Sequence, residues 1–420
     1  MINNKESGEN LKKGFTLIEL LGVVVILAIL ILLAAPQILK IITNTQKNAF
    51  AVETVAVIKA AENAYSSGNI KEKYTLDDLA DYIDIKDNYT GEINVDSSKE
   101  KPIFTVTLKN EKFIVLNMTK EEINAETVLY NESLIAKIID FGAGDNGTFA
   151  YKNNSNRFIG ADPNNWLEFG KDSSDNVLMW RIVKHDNQGV QVIFEGVKQG
   201  LNPPAGDGRI TIESSTTAAY DTGNTNNWER PASLKTKLNT WYNSLQLNTN
   251  LIKPINWCLG ASGEGIGHPI DQVPTNHFLE TECVDAAYSG GNFLGVTNET
   301  SSVGLIRASD FFNSSSAATC TGGYYYGDGS WEVDGGRHCG RIVDSETVRT
   351  NYLWKEEYHW WTSTAFAKNS NHIWRISDSG YVSETYVTNA SIAVRPVINL
   401  SNNIIYESGT GTLSDPYKIS

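Results

Sequence analysis

The sequence predicts an α+β protein: a long N-terminal helical stem with a small αβ head, followed by a larger β-rich domain. Three observations predict this fold class. A long apolar run continues as a helical pattern to Ser67, short alternating segments follow, and the later two-thirds are rich in Asn, Gly, Ser, Thr and aromatic residues. At 420 residues the chain exceeds the usual single-domain size, so two or more folding units are expected.

Composition excludes several classes of protein. The hydrophobic fraction of 41% can form cores, which excludes wholesale disorder. The formal charge is −14, from 35 basic and 49 acidic residues, so a nucleic-acid groove is disfavoured. The six histidines have no spacing typical of a metal site. The 10 Trp and 18 Tyr residues, concentrated with polar residues in the later part, suit an extracellular β-rich domain.

The first element is a transmembrane candidate. Residues 20–39 carry no charge, and about 20 residues are the length that a helix needs to cross a membrane. Lys12 and Lys13 precede the run, so the positive-inside rule places the first residues in the cytoplasm and everything after Lys40 outside. The run is too long for a secretory signal peptide, and no A-x-A-like site ends it.

The most specific sequence signal is an acidic residue, Glu19, at the N-terminal edge of the apolar run. Lys12-Lys13-Gly14-Phe15 precede Glu19, and a carboxylate entering hydrocarbon needs a partner or a role. The segment resembles the class III signal of type IV prepilins and pseudopilins. The resemblance implies cleavage after Gly14 by a membrane aspartyl protease, the prepilin peptidase, and methylation of Phe15 as the new N-terminus. It also implies that Glu19 is the acid retained after cleavage and that Pro36 kinks the helix.

The physical argument agrees with this resemblance. A buried Glu19 could neutralise the amine of Phe15 on a neighbouring subunit and so set the register of assembly. The alternative is that Glu19 only reaches the interface in a bitopic anchor. Beyond Pro36 no Gly or Pro occurs until Gly68, a natural C-cap. A stem of roughly 50 residues, about 80 Å long, is expected.

The downstream units are predicted from local patterns. Residues 74–83 are helix-like, and residues 104–108 and 113–116 predict a β-hairpin, which together have the general form of a pilin head. A second hairpin over residues 180–194 and an amphipathic helix over 232–247 follow. The predicted organisation is leader 1–14, transmembrane and stem helix 15–68, small αβ head 69–140, β-rich domain 141–402 and C-terminal tail 403–420.

The last strands resemble a second family. The segments W-W-T-S-T from Trp360, W-R-I from Trp374, G-Y-V from Gly380 and V-R-P-V from Val394 are similar to bacterial domains with a C-type-lectin-like fold. Such domains occur at the ends of adhesins. A fold does not by itself confer a function. The residues that carry the pattern are expected in the sheet core, with a buried arginine bond: Trp360, Trp361, Trp374, Arg375 and Arg395.

The four cysteines, in a predicted extracellular domain without a C-x-x-C motif, favour disulfides over zinc. Three pairings are open. Neighbour pairing would close loops of roughly 20 to 25 residues and stabilise each by about 3 kcal/mol. Free thiols are the alternative, and no catalytic constellation accompanies any cysteine. The candidates are Cys258, Cys283, Cys320 and Cys339.

One loop between cysteines combines aromatic rings with acids. Aromatic faces stack on sugar rings, while carboxylates bond hydroxyl groups or supply oxygen ligands to calcium. The alternative is a Gly-rich turn whose aromatic side chains pack inward. The sequence motifs with which animal C-type lectins bind sugar and calcium are absent. No cofactor is assigned, and calcium is left open. The ligand-binding candidates are Tyr324, Tyr325, Tyr326, Asp328, Trp331 and Asp334.

The sequence thus indicates a type IV pilin-like subunit, minor or tip-located because of its size, that displays an extracellular adhesion or ligand-binding domain. Expected partners are other pilin subunits, the prepilin peptidase, the membrane during assembly and a glycan or protein ligand, but not nucleic acid. The expected location is the cell membrane before assembly and the surface filament afterwards. Alternatives are a pseudopilin of a secretion or DNA-uptake system and a bitopic surface-anchored binding protein. An enzyme is not expected, since no nucleophile, base and oxyanion donor occur together.

Overall fold

The structure is a computed structural model, and it combines helices with several sheets, the region after residue 146 being rich in strands. In the first helix it gives only the backbone of residues 17–19, 23, 27–37 and 39–40. It describes residues 17–420 except 86–87, 99, 153–154, 187, 200–201, 206–207, 211–214, 216, 225–227, 229–232, 259–260, 263–295, 318–340, 344–346, 367–370 and 381.

The chain divides into two compact units. The first comprises Met1–Lys109 with Val115–Val128, and the second comprises Asn110–Ile114 with Leu129–Ser420. Each unit has its own buried core.

The first unit is built on helix α1, Leu17–Ser66. The helix ends in a Schellman motif: the N–H of Gly68 donates to Tyr65 O at 3.1 Å, and that of Asn69 donates to Ala64 O at 3.0 Å. Gly68 has φ +94, so it is the predicted C-cap. The buried stripe of α1 recurs at helical spacing from Phe50 to Ala64.

Strands β1, β2 and β3 of the first unit follow α1, and the sheet continues with β4, whose residues 115–118 belong to the same unit. Their bounds are β1 Lys73–Thr75, β2 Thr90–Asp96, β3 Ile103–Lys109 and β4 Phe113–Met118. Alternate residues of β3 point inward, Phe104, Val106 and Leu108 being buried. β3 and β4 are the neighbouring strands that the hairpin pattern predicted.

The helix predicted over residues 74–83 is wrong. Residues Lys73–Thr75 pair with Glu92–Asn94 as β1, and only a 3₁₀ turn, Asp77–Leu79, follows. Asp78 accepts hydrogen bonds from the backbone N–H and the hydroxyl of Thr75, which fixes a turn at this point. Sheet pairing and this local turn together outweigh a weak helical pattern.

The second unit contains a large sheet with the path β15-β21-β10-β9-β8-β23-β22. The predicted hairpin over residues 180–194 is present as β9 and β10, with Gly189 opposite Asp186. The strands of this sheet, including β6, β7 and β11 attached to its side, are β6 Gly147–Lys152, β7 Ser155–Gly160, β8 Trp166–Lys171, β9 Val177–Asp186, β10 Gly189–Gln199, β11 Asn202–Ala205, β15 Val303–Gly304, β21 Val397–Leu400, β22 Tyr406–Ser408 and β23 Tyr417–Ile419.

A second sheet has the order β13-β18-β19-β20, and two further strand pairs, β12 with β14 and β16 with β17, lie outside it. These strands are β12 Ile255–Cys258, β13 Ala261–Ser262, β14 Val296–Ser301, β16 Arg341–Val343, β17 Thr347–Arg349, β18 Trp360–Phe366, β19 His372–Ile376 and β20 Val382–Tyr386. The predicted terminal strands are therefore present, in two sheets. Strand β5, Leu129–Tyr130, pairs with Phe113 and Ile114.

Helices described in this unit are α2 Leu134–Phe141, α3 Ser233–Asn243 and α4 Ala308–Asn313. The predicted amphipathic helix is α3, whose Leu234 and Leu238 are fully buried. The predicted tail instead forms the β22–β23 hairpin, because Tyr417 is fully buried and β23 pairs in parallel with β8.

Candidate functional site

The predicted processing residues, Gly14 and Phe15, lie outside the described residues. Glu19 and Pro36 lie within α1, which the structure describes there by its backbone only. Among the described residues, no helix is both long enough and apolar enough to cross a membrane. Much of the span predicted at residues 20–39 has no described side chains, so that span stays a prediction.

The described side chains at the start of α1 leave a large apolar surface uncovered. Leu20, Leu21, Val24, Val25 and Ile26 are each 50 to 59% exposed. Exposed apolar residues continue beyond Pro36 at Ile38, Ile41, Ile42 and Val52. Contiguous exposed apolar surface of this kind is typical of a contact with lipid or with another protein.

Polar contacts attach the outer half of α1 to the rest of the first unit. The Lys47 ammonium donates to Val128 O at 2.6 Å, Tyr89 donates to Glu53, and Lys120 pairs with Glu62. Lys47 is buried, and this burial lowers its pKa to about 8. Together with the stacked rings of Phe50 and Tyr89, these contacts fix the register of α1 within the unit.

The predicted ligand loop falls outside the described residues. Tyr324, Tyr325, Tyr326, Asp328, Trp331 and Asp334 all lie in the stretch 318–340, as do Cys320 and Cys339. Cys283 is likewise outside, and Cys258 ends β12 without a described side chain. The described residues contain no group of acids, histidines and cysteines that could hold a metal ion. The disulfides, the loop and calcium therefore stay predictions.

The predicted core residues are mostly where the sequence placed them. Trp360, Trp361, Trp374 and Arg395 are at most 1% exposed, whereas Arg375 is only half-buried. Arg375 was expected in the core and lies at its margin, because its long side chain can carry the charged group towards water.

Arg395 makes the buried bond that was predicted. It pairs with Glu195 of β10, donates to Leu353 O at 2.8 Å, and lies 4.7 Å from the ring centre of Trp360. Lys355 is the second cation on Glu195. Burial alone raises the pKa of Glu195, but the charges of Lys355 and Arg395 hold it below its usual range.

A second buried cluster surrounds Asp310 of α4 and was not predicted. Its carboxylate lies 3.3 Å from Arg157, 3.3 Å from Lys184 and 3.0 Å from Arg307. Burial works to raise the pKa of Asp310, yet these three cations hold it well below its usual range. Lys184 is also 3.5 Å from Asp186. The cluster joins β7, β9 and α4.

A third arginine, Arg181 of β9, lies between two rings. Its guanidinium is 4.3 Å from the ring centre of Trp166 and 4.9 Å from that of Tyr352, and it pairs with Asp162. Arg181 also donates hydrogen bonds to the Oδ1 of Asn165 and to the carbonyl oxygen of Pro163. Such contacts satisfy a buried guanidinium and pack its planar surface.

These clusters connect several elements of the second unit, and their carboxylates offer no general acid. The buried carboxylates of these clusters, Glu195 and Asp310, have depressed pKa values and stay ionised at neutral pH, so neither can donate a proton there. Sequence reasoning missed Asp310 because its partner Arg157 is 153 positions away, and no local pattern connects the two.

Comparison with known proteins identifies the N-terminal segment. Residues 10–35 match the family model described as the prokaryotic N-terminal methylation motif. No curated protein and no solved structure matches the chain significantly. The matched range includes the basic pair, Gly14, Phe15 and Glu19, and the motif is a type IV pilin-like signal. The chain thus has the N-terminal methylation motif that supports a type IV pilin-like or pseudopilin-like precursor.

Proposed function

We propose that the chain is a type IV pilin-like subunit, processed after Gly14, that assembles through α1 and displays its second unit outside the cell as a ligand-binding domain. The methylation motif at residues 10–35 is the observation that carries this proposal. The motif runs directly into α1, whose 50 residues continue from the predicted membrane segment into the core of the first unit.

The exposed apolar surface of α1 supports assembly through this helix. Side chains such as Leu20, Ile26 and Ile41 are more than half exposed, and other subunits or lipid would cover them. The size of the second unit supports a minor or tip position, because a bulky domain is hard to accommodate on every subunit of a thin helical filament. Binding, rather than catalysis, is the proposed role of that unit.

Processing is tested by co-expressing the full chain with and without a prepilin peptidase and determining intact mass and N-terminal sequence. We expect the peptidase to remove 14 residues and leave methylated Phe15, so that 406 of the 420 residues remain. Gly14→Arg should block cleavage, because the cut follows this glycine in the motif. Gly22→Ala is the matched control, since an added Cβ at Gly22 meets nothing within 4 Å.

Assembly is tested separately with Glu19→Gln. The variant should be cut and methylated but should be lost from the sheared surface fraction, because it lacks the charge that would neutralise the amine of a neighbouring Phe15. An uncut Met1 terminus in the wild-type protein would contradict the proposal and favour a bitopic surface protein. Normal surface recovery of Glu19→Gln would contradict the assembly role of this acid.

A further inference from the structure

One aromatic side chain of the second unit is exposed at the edge of a sheet. Tyr386, the last residue of β20, is 57% exposed, whereas Trp180, Trp360 and Trp374 are at most 1% exposed. Among the large apolar side chains that the structure describes as exposed in this unit, Tyr386 is the most exposed. It lies at the end of the outermost strand of the second sheet. A ring at this position is open to a ligand from outside.

The Tyr386 ring is held in place by a neighbour on β19. His372 is its direct partner in the strand register, and the two ring centres are 4.2 Å apart with planes inclined by 42°. The His372 Nδ1 lies 2.6 Å from the Oδ1 of Asn371. The backbone at Asn371 is fixed in turn, because its carbonyl accepts from the N–H of Val387 at 2.9 Å. Exposed aromatic rings bind better when they are already oriented, since less conformational freedom is lost.

The chemistry of this platform indicates the class of ligand. A pyranose offers a face of C–H groups that stacks on an aromatic ring, and hydroxyl groups that bond imidazole and amide groups. Burial lowers the pKa of His372, so its imidazole is neutral at pH 7. The platform therefore carries no positive charge to select an anionic ligand. The net charge of −14 on the chain also disfavours acidic sugars.

We propose that Tyr386, His372 and Asn371 form a stacking platform that binds a neutral pyranose of a surface glycan. The proposal deepens the proposed display function and rests on it, since it names the ligand class and its site. The platform is separate from the predicted loop at Tyr324 to Asp334. One stacked ring gives weak binding, so several subunits or several sugar units would be needed for firm attachment.

The test uses the full-length processed protein in micelles of an amine-oxide detergent, because glycosidic detergents would compete. The probes are the methyl glycosides of glucose, galactose, mannose and N-acetylglucosamine, followed by saturation-transfer NMR. We expect saturation to be transferred from the protein to the ring C–H protons of at least one glycoside. Tyr386→Ala should reduce it about fivefold or more, whereas Tyr386→Phe should retain it because stacking needs only the ring face. His372→Ala should weaken it.

Tyr82→Ala is the matched control, because Tyr82 is also an exposed tyrosine, 37% exposed, but lies in the first unit. Melting temperatures of all variants within about 2 °C of the wild type exclude misfolding. The platform is refuted if the wild type shows no transfer to any of the four glycosides, or if Tyr386→Ala binds like the wild type. Transfer to an uncharged peptide, without any to the glycosides, would also overturn it.

N-terminal sequencing of the same preparation separates this inference from the proposed function. If Phe15 is methylated but no glycoside binds, the platform is refuted and the proposed pilin-like function stands. If the peptidase leaves the protein uncut but the protein binds a glycoside, the pilin-like function is refuted and the platform stands.

Discussion

At the scale of single residues, His185 gives the second unit a built-in sensitivity to acid. The side chain is 2% exposed, and burial lowers its pKa from 6.5 to about 4. Between these two values the unfolded chain binds a proton that the folded chain does not. The free energy of unfolding therefore falls as pH decreases from 6.5 towards 4, by up to about 3 kcal/mol.

His185→Gln should flatten the pH dependence in this window, because glutamine does not titrate. The measurement is the urea midpoint of the full chain at several pH values between 7 and 4.5. His372→Gln is the control, since His372 is only half-buried and should change the profile little. An unchanged slope in His185→Gln would mean that other groups cause the acid sensitivity.

Replacing the Asp310 carboxylate by an amide should cause a large loss of stability. Asp310→Asn removes the one charge that three cations share and leaves Arg157 and Lys184 buried without it. We expect a destabilisation of about 3–5 kcal/mol. Asp162→Asn is the matched control: its side chain is 63% exposed and pairs with Arg181, so about 1 kcal/mol or less is expected. Equal losses in urea unfolding would argue against a special role for the Asp310 cluster.

The depressed pKa of Asp310 also predicts a pH window. The unfolded carboxyl titrates near 3.8 and the folded one well below it, so the stability that Asp310 contributes is complete above about pH 4. It is lost progressively as pH falls further. This loss begins where that of His185 ends, so the two residues are separable in one titration.

At the scale of elements, the C-terminal hairpin depends on a glycine. Gly411 has φ +78, and an added Cβ would lie 2.3 Å from the ring of Tyr417 and 2.5 Å from Asn164 O. Gly142, the C-cap of α2, has φ +72 but open space around it. Gly142→Ala should cost about 1 kcal/mol for the backbone alone, and Gly411→Ala about 1–3 kcal/mol more for the clash.

Thermal unfolding of the two alanine variants measures this difference. A larger loss for Gly411→Ala would show that the close approach of Tyr417 and Asn164 leaves no room for a side chain at this position. Similar losses for both variants would instead mean that the backbone conformation accounts for the whole effect.

Elements with a strong local pattern could be predicted, and those decided by distant partners could not. The β9–β10 hairpin, α3 and the strands around Trp360 follow from alternation or helical spacing. The segment after Tyr74 does not, because pairing of β1 with β2 decides it. Likewise Arg395 could be expected in the core, but its partner Glu195 is 200 positions away and has no sequence signal.

At the scale of the whole molecule, the division into two units predicts that assembly and display are separable. A chain ending at Asn131 keeps every residue of the first unit, including the buried face of α1 and Lys47 with its acceptor Val128. It lacks Tyr386, both buried ionic clusters and nearly all of the second unit. We therefore expect it to be cut and methylated at Phe15 and to be recovered from the cell surface, but not to bind glycosides.

Full-length Gly14→Arg is the complementary variant, because it keeps the second unit and loses the cleavage site. It should bind methyl glycosides in micelles like the wild type yet stay out of the sheared surface fraction. If the shortened chain were degraded, or if it stayed uncut beside a cleaved wild type, the first unit would depend on the second. Assembly would then be a property of the entire chain, and the motif with α1 and its sheet would not suffice for it.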